Sequence, residues 1–109
     1  TMLLAINYGG RDEIVHAAKI LADKAADGEI SPEDITEETF GANLYTRDVP
    51  DVDLLIRPSG ELRISNFLIW QSAYAEFYFT DVLWPDFSEK ELEAALIDYA
   101  GRSRRFGGV

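Results

Sequence analysis

The sequence predicts an α/β fold, a largely parallel sheet flanked by helices, present here as a partial domain. Three observations predict it. Short β-prone apolar runs alternate with stretches of helical period, the layout of strand–helix units. The central run Leu54-Leu55-Ile56 is continuously apolar, as in a parallel strand buried on both faces. The third is thinness: about three strands and four helices, with the first strand almost at Thr1 and nothing ahead to cover its sheet, make a piece of a larger layer.

Local signals define each element. Leu3-Leu4-Ala5-Ile6 reads as a buried strand ending in the turn Asn7-Tyr8-Gly9-Gly10. Asp12 and Glu13 open a helix carrying Ile14, Val15, Ala18, Leu21 and Ala22, with Gly28 as its stop; acidic residues in a first turn complement the helix dipole. Ser31-Pro32-Glu33-Asp34 starts another helix, serine as cap and proline at the first helical position. A short helix begins within Thr36–Phe40, and turn-rich residues 45–51 lead to a strand over Val52–Ile56 that Pro58-Ser59-Gly60 breaks. The pattern then predicts a helix over Phe67–Ala75, starting at Ser65 or Asn66, and a third strand over Phe77–Thr80. Ser88-Glu89-Lys90-Glu91 is a capping-box signature. It opens a last helix with Leu92, Ala95, Leu96 and Tyr99 on one face, ending near Arg105.

At 109 residues the chain is one domain or part of one, and 47% apolar composition supports a folded core. No apolar run approaches the roughly 20 residues that span a bilayer, and no signal peptide opens the sequence. Cysteine is absent, which excludes disulfides and thiolate metal sites. These features predict a cytoplasmic protein, peripheral to a membrane at most. The net charge of −10 has the wrong sign for nucleic-acid binding. Within this acidic chain Arg57, Arg63, Arg102, Arg104 and Arg105 fall in two short segments, an arrangement that serves either a local anion site or a solvated surface.

The stretch from Asp53 to Phe67 carries the most chemistry. Its strand delivers Arg57 at the C-terminal end, where open α/β sheets bind ligands. Pro58 and Gly60 turn the chain, and Arg63 and Ser65 follow, the serine at the expected helix start with its anion-favouring N–H groups. Two guanidiniums and a hydroxyl converging there would bind phosphate or diphosphate; two surface arginines and a capping serine are the plainer alternative. Glu76, between an apolar helix and an aromatic strand, needs an arginine or a metal as partner. Beside a diphosphate it would suit Mg²⁺. Asn7-Tyr8-Gly9-Gly10-Arg11 is a strand-to-helix turn whose glycines let backbone approach a ligand, although such turns are common. His16, the single histidine, reads as structural, and no triad or zinc site has support. The aromatics Trp70, Tyr74, Phe77, Tyr78, Phe79 and Trp84 read as core or subunit interface, or as a wall for an isoprenoid chain.

Together these stretches, with Trp70–Asp81, Val82–Phe87 and Arg104-Arg105-Phe106-Gly107-Gly108, resemble the undecaprenyl diphosphate synthase family along essentially the whole chain. The resemblance implies that residues 1–109 are the C-terminal portion of a single cis-prenyltransferase domain. It implies repeated condensation of isopentenyl diphosphate onto a farnesyl-like allylic diphosphate, with Mg²⁺ and in a homodimer. Arg57, Arg63 and Ser65 match the positions that hold isopentenyl diphosphate, and Glu76 matches a carboxylate associated with Mg²⁺. Arg105 matches an Arg-x-Gly element that completes the partner subunit's site. Glu61, Asn7 and Arg11 are supporting candidates. Leu62 stands where some relatives have histidine and cannot ligate a metal. The family's Met-Asp-Gly-Asn-x-Arg-Trp-Ala motif, with its catalytic aspartate, matches no stretch of this chain, so negligible activity is expected of the segment alone. A non-catalytic partner subunit or dimerisation element is the alternative role.

Overall fold

A computed structural model describes residues 1–103 and Phe106. The chain divides into two compact units, one formed by Thr1–Pro50 with Asn66–Trp70, the other by Asp51–Ser65 with the chain from Gln71 on.

In the first unit α1 spans Gly10–Ala26 and α2 spans Glu37–Gly41. The start of α1 is held by Asn66: its carbonyl accepts from Gly10 N–H at 2.7 Å and its Oδ1 from Arg11 N–H at 2.9 Å. Those are the N–H groups a helix leaves orphaned. The glycine pair serves this contact, since a Cβ on Gly9 would lie 2.9 Å from Asn66 Nδ2 and one on Gly10 would lie 3.0 Å from Asn66 O. At the other end Gly28 has φ +76° and its N–H donates to Ala25 O, while Glu29 N–H donates to Lys24 O, a left-handed stop that only glycine adopts without strain.

The buried stripe of α1 is Gly10, Glu13, Ala17 and Leu21, so the expected face through Val15, Ala18 and Ala22 is instead exposed. Glu13 rotates the stripe. Only 1% exposed, its carboxylate accepts from Tyr45 N–H at 2.8 Å and from the Tyr8 hydroxyl. A buried charge persists where such donors replace water. Leu44 packs in the same core, and Phe40 stacks on Trp70 with ring centroids 4.7 Å apart. Ser31-Pro32 opens a single 3₁₀ turn, Pro32–Asp34, closed by the Ser31–Asp34 capping pair. The expected strand at Leu3–Ile6 does not form: the residues lie in no ladder and Met2, Leu3, Leu4 and Ile6 are exposed. A strand is defined by a partner, and the described residues offer this run none.

In the second unit β1, Leu54–Arg57, pairs in parallel with β2, Glu76–Phe79, with Leu54 opposite Glu76 and Arg57 opposite Phe79. This is the parallel α/β sheet the sequence predicts. Val52 N–H to Gln71 O, Glu76 N–H to Asp53 O and Thr80 N–H to Arg57 O extend the pairing beyond both ends. Leu55 is buried and its strand neighbours are half-buried. Helix α3, Glu89–Ala100, starts at the Ser88–Glu91 capping box and packs on β2 through Ala95. It stops at Gly101, short of the expected end near Arg105, and Leu92 and Leu96 are exposed.

The helix expected over Phe67–Ala75 is a run of turns. Ser65, Asn66 and Leu68 have φ of 50°, 69° and 48°, outside the right-handed helical region. The hydrogen bonds go elsewhere as well. Gln71 O, which a helix would give to Ala75 N–H, accepts from Val52, and Ala75 N–H turns to Ser72 O. No helix among the described residues is long and apolar enough to cross a membrane.

Replacing Glu13 by alanine should lower unfolding stability by about 3 kcal/mol, because two donors lose a charged acceptor in a buried place. Urea denaturation followed by tryptophan fluorescence measures it; an unchanged midpoint would show Glu13 to be a bystander.

Candidate functional site

Parallel pairing brings the C-terminal ends of β1 and β2 to one sheet edge, and the chain is clamped there. Beyond Arg57 it turns through Pro58, Ser59 and Gly60, the last two at φ 69° and 72°. Ser59 N–H donates to Val82 O at 2.8 Å and Gly60 N–H to Thr80 O at 2.9 Å. A Cβ on Gly60 would sit 3.2 Å from Asp81 Oδ1. The turn after β1 is thus bonded to the segment after β2, which fixes where Arg57 leaves the sheet.

Arg57 is half-buried, and its guanidinium makes no hydrogen bond or ion pair among the described residues. In a chain of net charge −10, an unpaired guanidinium on a backbone held at a sheet's C-terminal edge is suited to an anionic ligand. Arg63 differs: it is exposed and its Nη1 contacts the Glu61 carboxylate. An anion would have to displace Glu61 to gain Arg63. Ser65 is exposed, and its positive φ removes it from any helix N-terminus. The expected contribution of helical N–H groups to anion binding at Ser65 is therefore absent. Leu62 is exposed.

Glu76 stands at the opposite end of the sheet from Arg57. It pairs with Leu54 at the start of β1, three residues before Arg57, or roughly 10 Å along the strands. Its carboxylate is 3.2 Å from Arg102 Nη1. Arg102 also reaches Asp98 Oδ2 through Nε at 2.8 Å and Nη2 at 2.6 Å, and Phe77 O through Nη1 at 2.7 Å. These partners, Glu76 first and then Asp98, hold the Arg102 pKa above its ordinary value. Among the described residues, no group of three or more His, Asp or Glu side chains is placed to hold a metal ion. One carboxylate already bound by a guanidinium does not supply the octahedral oxygen shell of Mg²⁺, so the described residues do not fit that ion on their own.

In the first unit, Asn7 is exposed with φ 54°, and Arg11 presents its backbone N–H to Asn66 while its side chain is exposed. The glycine turn there approaches Asn66. Arg105 lies outside the described residues. Two residues now central were read otherwise in the sequence: Arg102 only as one of the clustered arginines of an anion site or solvated surface, and Asn66 only as an alternative helix start. The legible signal for Arg102 was its spacing four residues after Asp98 at a helix end.

A family model described as "Putative undecaprenyl diphosphate synthase" matches residues 1–107. The chain belongs to the undecaprenyl diphosphate synthase family. Isoprenyl transferase from Heliobacterium mobile is 61% identical over 106 residues, covering 97% of this chain and 41% of that protein. Decaprenyl diphosphate synthase from Mycolicibacterium smegmatis is 55% identical, covering 98% of this chain and 36% of that protein. Among solved structures, lavandulyl diphosphate synthase from Lavandula x intermedia, in complex with dimethylallyl diphosphate, aligns at TM-score 0.91 and 48% identity, over 95% of this chain and 45% of that one. A probable undecaprenyl diphosphate synthase from Campylobacter jejuni aligns at TM-score 0.78 and 38% identity, over 95% of this chain and 46% of that one. This prenyltransferase-family chain thus spans about two fifths of the length of the curated relatives it matches, and its fold is a partial α/β domain of their kind.

Gly60→Ala should cost about 1–2 kcal/mol, since alanine must take a left-handed φ and crowd Asp81. The urea midpoint reads it; full tolerance would mean the turn relaxes freely and does not fix Arg57.

Proposed function

We propose that this chain is the isopentenyl diphosphate-binding portion of a cis-prenyltransferase. The whole enzyme would condense isopentenyl diphosphate with a farnesyl-like allylic diphosphate to make polyprenyl diphosphates of the undecaprenyl type for a cell-wall lipid carrier. One observation carries this reading: Arg57, unpaired and fixed at the C-terminal sheet edge, in a chain of this family. The relative solved with dimethylallyl diphosphate supports a prenyl diphosphate as the ligand class.

Each condensation forms a carbon–carbon bond between the isopentenyl alkene and the allylic carbon, breaks the allylic carbon–oxygen bond, and releases inorganic diphosphate and a proton. Holding the alkene in line with that carbon removes much of the entropic barrier. Arg57 would anchor the isopentenyl diphosphate by charge-assisted hydrogen bonds, with Arg63 joining as it exchanges Glu61 for phosphate and Ser65 adding a hydroxyl. Arg105, in the proposed homodimer, would complete the partner's site. Neutralising the leaving diphosphate is assigned to parts of the protein beyond these residues, where Mg²⁺ would be held largely by phosphate oxygens.

Arg57→Ala should weaken binding of isopentenyl diphosphate at least about tenfold, the loss of one charge-assisted contact. Arg63→Ala should do less, because its wild-type partner Glu61 offsets part of the gain. Isothermal titration decides this, and equal affinities for wild type and Arg57→Ala would remove Arg57 from the site. Turnover is a separate question. This chain alone should incorporate no labelled isopentenyl diphosphate above background, and co-expression with the non-overlapping part of the Heliobacterium mobile relative should restore incorporation. Normal turnover by the chain alone would refute the division of labour.

A further inference from the structure

We infer that Arg102, three residues before Arg105, is a positioning residue that ties the C-terminal end of α3 to the start of β2 through Glu76, so that Glu76 acts as the counter-ion of Arg102. The inference rests on the proposed reading for the role of Arg105, but its contacts are independent of it. Arg102 lies two residues beyond the end of α3, just after Gly101. Its tie to Asp98 runs back to its own helix; its ties to Glu76 and Phe77 O run to β2.

The strand offers Arg102 a natural landing place. Even-numbered residues Glu76 and Thr80 turn their N–H groups to β1, so Phe77 turns its backbone to the open side of the ladder. An unpaired edge carbonyl seeks a donor. One guanidinium, with five donors in a planar fork, serves that carbonyl and two carboxylates together. A lysine could not reach all three in one geometry. With Glu76 so engaged, a metal ion at its carboxylate would first have to expel Arg102, because both cations claim the same oxygens. Arg105 follows Arg102 by three positions, so the tie sets the point from which that segment departs.

Hydrogen exchange of residues 97–103, read by mass spectrometry on this chain, tests the tie. Glu76→Gln and Arg102→Gln should each speed exchange about three- to fivefold, the range of a partly exposed ion pair. The double variant should be no faster than the faster single one, and Arg102→Lys should recover part of the protection. Should Arg102→Gln fail to fold, near-isosteric Glu76→Gln against Asp98→Asn carries the comparison, with the larger effect expected at Glu76. Mn²⁺ titration by electron paramagnetic resonance is the second arm: Glu76-dependent binding should be absent in wild type and emerge in Arg102→Gln. Additive exchange effects, unchanged exchange in both single variants, or equal Glu76-dependent Mn²⁺ binding in wild type and Arg102→Gln would overturn the inference. Isopentenyl diphosphate affinity, measured alongside, reports on the proposed site around Arg57 and Arg63 and not on the tie. Its loss or retention separates failure of the binding site from failure of the tie.

Discussion

Parallel pairing of two four-residue strands is the constraint from which the rest of the second unit follows. Strands that run the same way cannot be joined by a tight turn, so the chain between Arg57 and Glu76 must travel back along the sheet before β2 begins. The crossover also assigns ends. Arg57 closes β1 at one edge, Glu76 opens β2 at the other, and the two side chains cannot share a small ligand within this pair of strands. What meets Arg57 instead is the backbone of Thr80 to Val82, through bonds from Ser59 and Gly60. Strand direction thereby separates an edge with an unpaired arginine from an edge with an ion-paired one.

Much of this was legible because it is local. The Ser88–Glu91 capping box, the Gly28 stop and the Asp12–Glu13 start are interactions within a few residues, and each stands where the sequence signals it. The continuous apolar run at Leu54–Ile56 marked the parallel strand for a similar reason, as a pattern within the strand itself, although only Leu55 is buried and its neighbours are half-buried. Arg57 at the strand end follows from the same reading.

Residues 65–75 were not legible because their hydrogen bonds are claimed from far along the chain. Asn66 spends its carbonyl and side chain on the start of α1, more than fifty residues away, and Gln71 gives its carbonyl to Val52. Helical period in the apolar residues says nothing about such claims, and three left-handed φ values are the local consequence. Glu13 is the same lesson on a smaller scale: an acidic residue in a first turn reads as a solvated dipole partner, yet Tyr8 and Tyr45 draw it inward. The Leu3–Ile6 run shows the opposite failure, strong local propensity without a partner to pair it.

The arginines draw these threads together. Acidic residues outnumber basic ones by two to one in this chain, so an arginine can readily find a carboxylate, and most described ones show the result. Arg47 approaches Asp48, Arg63 contacts Glu61, and Arg102 gathers Glu76 and Asp98. Arg57 stays apart although the same carboxylates are abundant. Its backbone is held on both sides by the ladder and the clamped turn, which sets the point from which its side chain leaves the sheet. Arg57 is half-buried and its guanidinium has no protein partner among the described residues. An unpaired guanidinium at a sheet's C-terminal edge, in a protein rich in carboxylates, is a reason for proposing an anionic ligand that stands apart from family membership.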